Sequence, residues 1–344
     1  MPEPAPSRAV AAILAFALPP GVGQAYLGLG RRAVVWFVVF LLLTFAVPVA
    51  VPTLGATLGY RATAIVYLAA IAARWIAPLM DVLLVKRERF LRTQTGLLIG
   101  LAGGGVVAAL VGALTTRVFF LEAFKIPSGA MIPTLVVGDH LFVDKLAYRT
   151  RAPRYGEVMV FAFPEHPEQD SIKRVIVLPG DRLDVKGGHP WINGWEVPHC
   201  KVGTFSYDEA EGGMPHHGEL DVEFLGEQAY LTFYDAATGG FTDRQGPFAA
   251  KPGEYWVMGD NRNNSHDSRM WFGGKGGGVP KDLVRGHALF VWLSIGEGGI
   301  DGHRTGQAVE GPTLPKGNDG LQGALDVCMT SGRPPASRTQ PPPP

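Results

Sequence analysis

Apolar residues crowd the chain ahead of Arg117 in four long runs, at 10–27, 34–54, 62–85 and 96–114, and then give way to short runs set between Gly, Pro and Asp. A helix needs about 20 apolar residues to cross a bilayer, so the second, third and fourth runs predict membrane-spanning helices. The first contains Pro19-Pro-Gly-Val-Gly-Gln24, whose backbone groups would be unsatisfied in lipid unless the segment re-enters or is shielded by neighbouring helices. A cleaved signal peptide is the competing reading of that run, but Arg8 is its sole basic flank and the later helices would anchor the chain in any case. Beyond residue 117, His140-Leu-Phe-Val-Asp144, Glu157-Val-Met-Val-Phe161, Arg174-Val-Ile-Val-Leu178 and Ala288-Leu-Phe-Val-Trp292 read as strands, with Leu178-Pro-Gly-Asp181 and Pro252-Gly253 as turns.

The pattern predicts a multi-helix membrane region over residues 1–95, a final transmembrane helix over 96–118 and a mainly β domain over 119–296. A polar, Gly-rich and aromatic stretch at 186–251 reads as an inserted β lobe. Residues 297–344 turn to Gly, Pro and polar residues, end in Pro341 to Pro344, and lack the periodicity needed to bury a core, so a disordered tail is expected. Basic residues set the orientation. Arg31-Arg32 and Lys86-Arg87-Glu88-Arg89, with Arg92, belong on the cytoplasmic side, whereas the loop at 55–61 carries one positive charge. The last helix then exits outward, which makes a multi-pass inner-membrane protein with its β domain on the extracytoplasmic, periplasmic side. Arg74 and Asp81 fall within an apolar run, where snorkelling towards the interface is the expectation.

Composition narrows the possible functions. Over 344 residues, 47% hydrophobic with 18% charged is apolar for a soluble protein. Lys plus Arg and Asp plus Glu are 31 each, so no charge excess argues for nucleic acid as a partner. Cys200 and Cys328 form neither a CxxC pair nor a His/Cys cluster suited to zinc, and no metal or other cofactor is expected. One cysteine lies in the β domain and the other in the tail; a disulfide would suit an oxidising compartment, but two unpaired thiols are the expectation. His216-His217 stands in the inserted stretch without a second ligand cluster and reads as solvated.

Candidate chemistry gathers in three segments: Ile126-Pro-Ser-Gly-Ala-Met-Ile-Pro-Thr-Leu135, Ser171-Ile-Lys-Arg174 and Gly259-Asp-Asn-Arg-Asn-Asn-Ser-His-Asp-Ser-Arg269. A serine hydroxyl needs a base to become a nucleophile, and lysine can be that base only if its pKa of about 10.4 falls towards roughly 7 to 8. Lys173 precedes the apolar run Val175 to Leu178, so strand alternation turns it opposite to Ile172 and Arg174 and into one face, where burial would lower its pKa. An isolated Ile-Lys-Arg would instead be a solvated lysine at a strand start. The loop Pro127-Ser-Gly-Ala-Met131 would place residue 130 at a turn with backbone N–H groups aimed at a developing oxyanion. Its Pro-Ser-Gly dipeptides alone would equally support a local turn serine.

In order and separation these segments, together with Gly138-Asp139, Gly278-Val-Pro280 and Gly286-His-Ala288, resemble type I signal peptidases, the serine/lysine endopeptidases that remove signal peptides from exported proteins. The likeness covers about residues 119–295, roughly half the chain. It implies the signal peptidase β fold, no cofactor, and two partners: the signal peptides of exported preproteins and the lipid bilayer. It implies Lys173 as general base, residue 130 as nucleophile, Ser128 as a side-chain oxyanion donor and Ser265 as the residue that orients the lysine. Asp260 is expected to pair with Arg174, and Asp267 with Arg269, to hold the loop. Phe124, Ile126, Met131, Leu135, Leu141, Asp170 and Ile172 are expected to wall shallow pockets that accept small side chains ahead of the cut. Ser171 stands where some members carry an aromatic residue, which would widen the first pocket. Phe119-Phe-Leu121 and Phe124 suit either the membrane surface or the core, and His266 reads as solvated.

One departure matters most: the nucleophile position holds Ala130. A methyl group cannot attack a carbonyl, and deleting the nucleophile of subtilisin costs on the order of 10⁶ in kcat. The chain as written is therefore expected to be inactive, whether as a substituted enzyme or as a non-catalytic relative that binds signal-peptide-like segments. Ser128 is the one nearby hydroxyl that could attack instead, at the loss of an oxyanion donor.

Overall fold

The computed structural model describes residues 6–58, 60–208, 215–235, 244–296 and 299–344. The chain divides into two units, Met1–Glu122 and Ala123–Pro344.

The first unit is helical, with α1 (Arg8–Ala17), α2 (Val22–Tyr26), α3 (Gly30–Leu58), α4 (Tyr60–Leu84) and α5 (Thr95–Thr115). Gly30–Val47 and Thr95–Phe120 are long and apolar enough to cross a membrane. The run at 62–85 does form α4, but Arg74, Pro78 and Asp81 interrupt its apolar surface. The first run does not make one helix. At ten residues α1 is about 15 Å long; Pro19 and Pro20 follow it, and Gly21, at φ 101°, turns the chain into α2. A Cβ on Gly21 would lie 2.4 Å from the Ala33 carbonyl oxygen, so the sharp turn also permits a close helix approach. Asp81 does not snorkel. Its carboxylate is an acceptor for Arg32, for Trp36 Nε1 at 3.1 Å and for Gln24 Nε2 at 3.2 Å. Arg74 likewise turns inward, donating to Thr44 Oγ1 at 3.1 Å with its guanidinium 5.0 Å from the Phe40 ring centre.

The second unit is mainly β. In chain order its strands are β1 (Leu121–Lys125), β2 (Asp139–Asp144), β3 (Val158–Phe163), β4 (His166–Val177), β5 (Arg182–Lys186), β6 (His189–Ile192), β7 (Trp195–Glu196) and β8 (His199–Tyr207), then β9 (His216–Leu225), β10 (Gln228–Asp235), β11 (Arg244–Ala249), β12 (Glu254–Met258), β13 (Val279–Pro280), β14 (Val284–Gly296), β15 (Gly299–Ile300) and β16 (Gln307–Ala308). The largest sheet runs β1-β2-β14-β3-β4-β12-β13, with β15 and β16 on β14; two smaller sheets run β11-β5-β6-β7 and β10-β9-β8.

Part of the stretch at 186–251 packs on the main sheet: Ile192, Val197, Leu225 and Tyr230 share one apolar cluster with Ile176, Val177, Trp256 and Met258. Alternation along β9 sends Leu220, Val222 and Phe224 to a second cluster, which Ile132 of the residue-130 loop and Leu325 of the tail complete.

The tail is the main correction to the expectation from sequence. Residues Gln322–Met329 form a helix whose buried face carries Leu325 and Cys328, and Cys328 is joined to Cys200 by a disulfide with the two Cα atoms 5.7 Å apart. The thiols are therefore paired rather than free. Arg304 is 7% exposed and clasps Asp139, with Nε to Oδ1 at 2.7 Å, and donates to the Thr134 carbonyl at 2.9 Å. Apolar periodicity misses such a segment because scattered anchors hold it: Val309 and Leu325 in the core, the Arg304–Asp139 and Glu310–His287 pairs and the disulfide.

Candidate active site around residue 130

Strand β4 supplies the candidate base. Its register sets Lys173 opposite Met159 of β3 and Arg174 opposite Met258 of β12, so that Gly259 comes next along the register at the level of Lys173. Lys173 is 6% exposed, and its Nζ donates to the Ile172 carbonyl at 3.0 Å. Burial pushes this amine below the ordinary lysine range, while the Asp267 and Asp260 carboxylates pull the other way. Arg174 points to the opposite face. There it meets Asp260 with Nε to Oδ1 at 2.8 Å and Nη2 to Oδ2 at 2.6 Å, both side chains fully buried, and it donates to the Gly156 carbonyl at 2.7 Å. Its guanidinium also lies 3.9 Å from the Tyr230 ring centre.

Residue 130 sits in the single helical turn Gly129–Met131, which leads into the cis Ile132–Pro133 bond. Asn261 holds this turn from one side. Its backbone N–H donates to the Ala130 carbonyl at 3.2 Å, and its Nδ2 donates to the Gly129 carbonyl at 3.0 Å and to Tyr207 Oη at 2.7 Å. In a trans peptide unit the N–H points opposite to the C=O, so fixing these two carbonyls aims the N–H groups of Ala130 and Met131 away from Asn261. Ser128 precedes the turn in extended conformation, exposed, with its hydroxyl making no capping bond.

Gly259 brings the two halves together. A Cβ there would lie 2.3 Å from Ser265 Oγ and 2.4 Å from the Ala130 carbonyl oxygen, so a residue with no side chain is required where these groups approach. Ser265 is 6% exposed; its Oγ has no full hydrogen bond among the described residues, yet it lies near enough to Asp267 to favour the ionised carboxylate. Burial alone would raise the Asp267 pKa, but Arg269 overrides it and the pKa falls below the ordinary range. Asp267 accepts from Arg269 Nε and Nη2, each at 2.8 Å, and from the Gly259 N–H at 3.0 Å. Arg269 in turn donates to the Arg262 carbonyl at 2.8 Å. Arg262 pairs through both terminal nitrogens with Glu223 of β9, which is fully buried.

The expected pocket residues divide. Ile126, Met131, Leu135 and Leu141 are almost wholly buried in one cluster, with Phe124 and Ile172 half-buried against it. Asp170 stands apart, exposed and 3.5 Å from Arg285. Ser171 is half-buried. His266 is exposed but not free, with Nε2 3.2 Å from the Glu165 carboxylate. His216, read as solvated, is instead stacked on Tyr207 at 4.7 Å and 2.5 Å from the Asp235 carboxylate. Sequence reasoning passed over Gly259, Asn261 and Arg262 inside a segment it quoted, and Tyr207 and Glu223 outside it. The first three could have been flagged as loop residues too specific for a plain turn; nothing local ties Glu223 to Arg262.

The family description "Signal peptidase, peptidase S26" matches residues 102–293, more than half of the chain. The chain belongs to the signal peptidase family. The signal peptidase I of Pseudomonas aeruginosa is 38% identical over 203 residues, an overlap of 53% of this chain and 68% of that protein. That of Aquifex aeolicus is 29% identical and overlaps 54% of this chain and 80% of its own length. Among solved structures, a signal peptidase I from Enterococcus faecalis is 25% identical, with 39% of this chain and 95% of that chain covered at a TM-score of 0.22. Signal peptidases I are serine proteases, and this member of the family has alanine at position 130.

Proposed function

We propose that this chain is a membrane-bound site of the signal peptidase I type, shaped to cut signal peptides of exported preproteins after small residues, and that Ala130 leaves it able to bind such segments without cutting them. The observation that carries the reading is Lys173: a buried amine of lowered pKa, level with the glycine that lets Ser265 and the residue-130 turn approach. With serine at position 130, the neutral Lys173 amine would take the hydroxyl proton as the oxygen attacks the scissile carbonyl. The Ala130-position N–H, turned away from Asn261, and the uncapped Ser128 hydroxyl would hold the oxyanion. Collapse would break the C–N bond, the departing amine taking from Lys173 the proton that came from the hydroxyl, and a water deprotonated by the neutral Lys173 would then release the acyl group from residue 130. Ser265 would orient the amine, while Arg174 with Asp260 and Arg269 with Asp267 fix the loop.

Phe124 and Ile172 are the parts of the apolar cluster left half-open, which suits shallow pockets for small side chains. Asp170 would act at the rim. The apolar surface of the helices supports bilayer anchoring: Leu42, Ile99, Leu110 and Leu114 are each about 60% or more exposed. The basic cluster at 86–92 would then stay inside and the β unit outside.

Ala130→Ser in the full chain tests the reading. Cleavage of a signal-peptide substrate after a small residue, absent in the alanine form and lost again in Lys173→Ala and Lys173→Arg, is the expected result. A folded serine variant that binds but does not cut would favour a non-catalytic relative. Cutting by the alanine form that disappears in Ser128→Ala would move the nucleophile to Ser128.

A further inference from the structure

Among the described residues, two clusters in the β unit gather His and carboxylate side chains closely enough to share an ion, and they differ in how their acceptors are used. In the first, Glu157, His287 and Glu310, the acceptors are committed. Arg151 binds both Glu157 oxygens at 2.9 and 2.8 Å, and Glu310 accepts from His287 at 2.6 Å and Gln228 at 2.9 Å. That is a closed ion-pair network.

The second cluster joins the two smaller sheets: His189 from β6, His199 from β8 and Asp221 from β9. One nitrogen from each ring and one Asp221 oxygen lie within 4.8 Å of one another. The rings stand 3.9 Å apart between centroids. His189 Nδ1 lies 2.9 Å from Tyr234 Oη, and that hydroxyl donates its own hydrogen to Glu223 Oε1 at 2.8 Å. The hydroxyl must therefore accept from His189, which puts the ring hydrogen on Nδ1 and leaves Nε2 with a free lone pair. His199 Nδ1 faces the Val197 carbonyl at 3.4 Å, which favours the same tautomer. On β9, Glu219 is paired with Lys201 and Glu223 with Arg262. Between them Asp221 is 5% exposed, and its Oδ1 has no hydrogen-bond partner among the described residues. A buried carboxylate oxygen with no donor is costly unless a cation faces it.

We propose that His189, His199 and Asp221 form a site for one divalent transition-metal ion of the zinc class, bound through two imidazole nitrogens and one carboxylate oxygen. Imidazole with carboxylate suits zinc, copper or nickel better than magnesium or calcium. A carboxylate that fixes the far side of a ligand histidine is a recurrent feature of such sites, and Glu223 acts here through Tyr234. His199 is exposed and opens a path for the ion. The site goes beyond the peptidase reading and holds whether or not the chain cuts peptides. Pattern reading misses it because positions 189, 199 and 221 share no short spacing, and it lies apart from the His216-His217 pair.

Isothermal titration of Zn²⁺ into tag-free, metal-stripped full chain in detergent tests the proposal. One equivalent should bind, and Tm should rise with Zn²⁺ concentration. Asp221→Asn and His199→Gln, the latter an exposed change that keeps the fold, should each weaken binding at least tenfold. Tyr234→Phe should weaken it about 10- to 100-fold through loss of the outer hydrogen bond. His287→Gln should leave it unchanged. No saturable Zn²⁺ binding, binding that survives His199→Gln, or binding abolished by His287→Gln would each overturn the assignment.

Discussion

Replacing Asp260 with alanine should destabilise the β unit by about 3–5 kcal/mol, because it strips the partner from a buried guanidinium. Asp260 and Arg174 are both fully buried and share two charge-assisted hydrogen bonds of 2.8 and 2.6 Å. Thr134 Oγ1, 2.5 Å from Asp260 Oδ2, would lose its acceptor as well. Arg174 would keep the Gly156 carbonyl and the Tyr230 ring, neither of which carries a charge. Against a total stability of about 5–15 kcal/mol this is a large loss. In a unit of this size each kcal/mol lowers Tm by about 2–4 °C, so a thermal melt in detergent should fall by about 6–20 °C. The double variant Arg174→Met with Asp260→Leu should recover most of that fall, since apolar replacement of a buried pair is often neutral. A single variant that loses less than about 1 kcal/mol, as an exposed pair would, refutes the reasoning, and so does a double variant no more stable than the single. A second readout lies in Lys173: Asp260 is one of two carboxylates that raise its pKa. In the Ala130→Ser background, the acid limb of kcat/KM should therefore move to lower pH in Asp260→Asn.

Between the lowered pKa of folded Lys173 and the ordinary lysine value, the unfolded chain holds one proton more than the folded chain, so this residue makes stability rise with pH by about 1.36 kcal/mol per unit. Urea titrations from neutral to alkaline pH should show that slope flattened in Lys173→Met, which should also be the more stable form at neutral pH; parallel curves for the two chains would place the amine in solvent. Gly259→Ala should cost about 1–3 kcal/mol by overpacking against Ser265 and the Ala130 carbonyl and should silence any Ala130→Ser activity, whereas full activity would mean that Ser265 and the turn need not approach. Cys200→Ser with Cys328→Ser should lower stability by about 2–4 kcal/mol and open the Gln322–Met329 helix to proteases; an unchanged digest would show that Leu325 and Arg304 hold the tail alone.

Short-range features were legible in the sequence. Alternation around Lys173 marked a strand with the lysine and Arg174 on opposite faces, and the structure has that strand in β4. The three motif segments identified the family because their chemistry lies in continuous runs. Contacts between distant positions were not legible. Glu223 meets Arg262, Tyr207 meets Asn261 and Arg304 meets Asp139 across long separations, each through side chains that look like ordinary surface polars in one dimension. Leu325 and Cys328 are too few to give the tail a period, yet each fills a place that β8 and β9 leave open. Asp81 failed for the same reason: hydropathy sees one charge in a helix and not the Arg32, Gln24 and Trp36 gathered around it.

The clasp between Arg304 and Asp139 also sets an order of events during synthesis. Asp139 closes the segment that begins with the residue-130 turn, and its buried carboxylate is held by a guanidinium 165 residues further along. At about 5–20 residues per second, a ribosome delivers that partner roughly 9–35 s after the turn itself. Until then Asp139 must remain hydrated and the wall behind residue 130 unfinished. A nascent chain stalled before residue 304 would thus hold all three motif segments, with Lys173 already made, and still lack the guanidinium that holds Asp139. On this reading the face around residue 130 is completed only when the tail arrives.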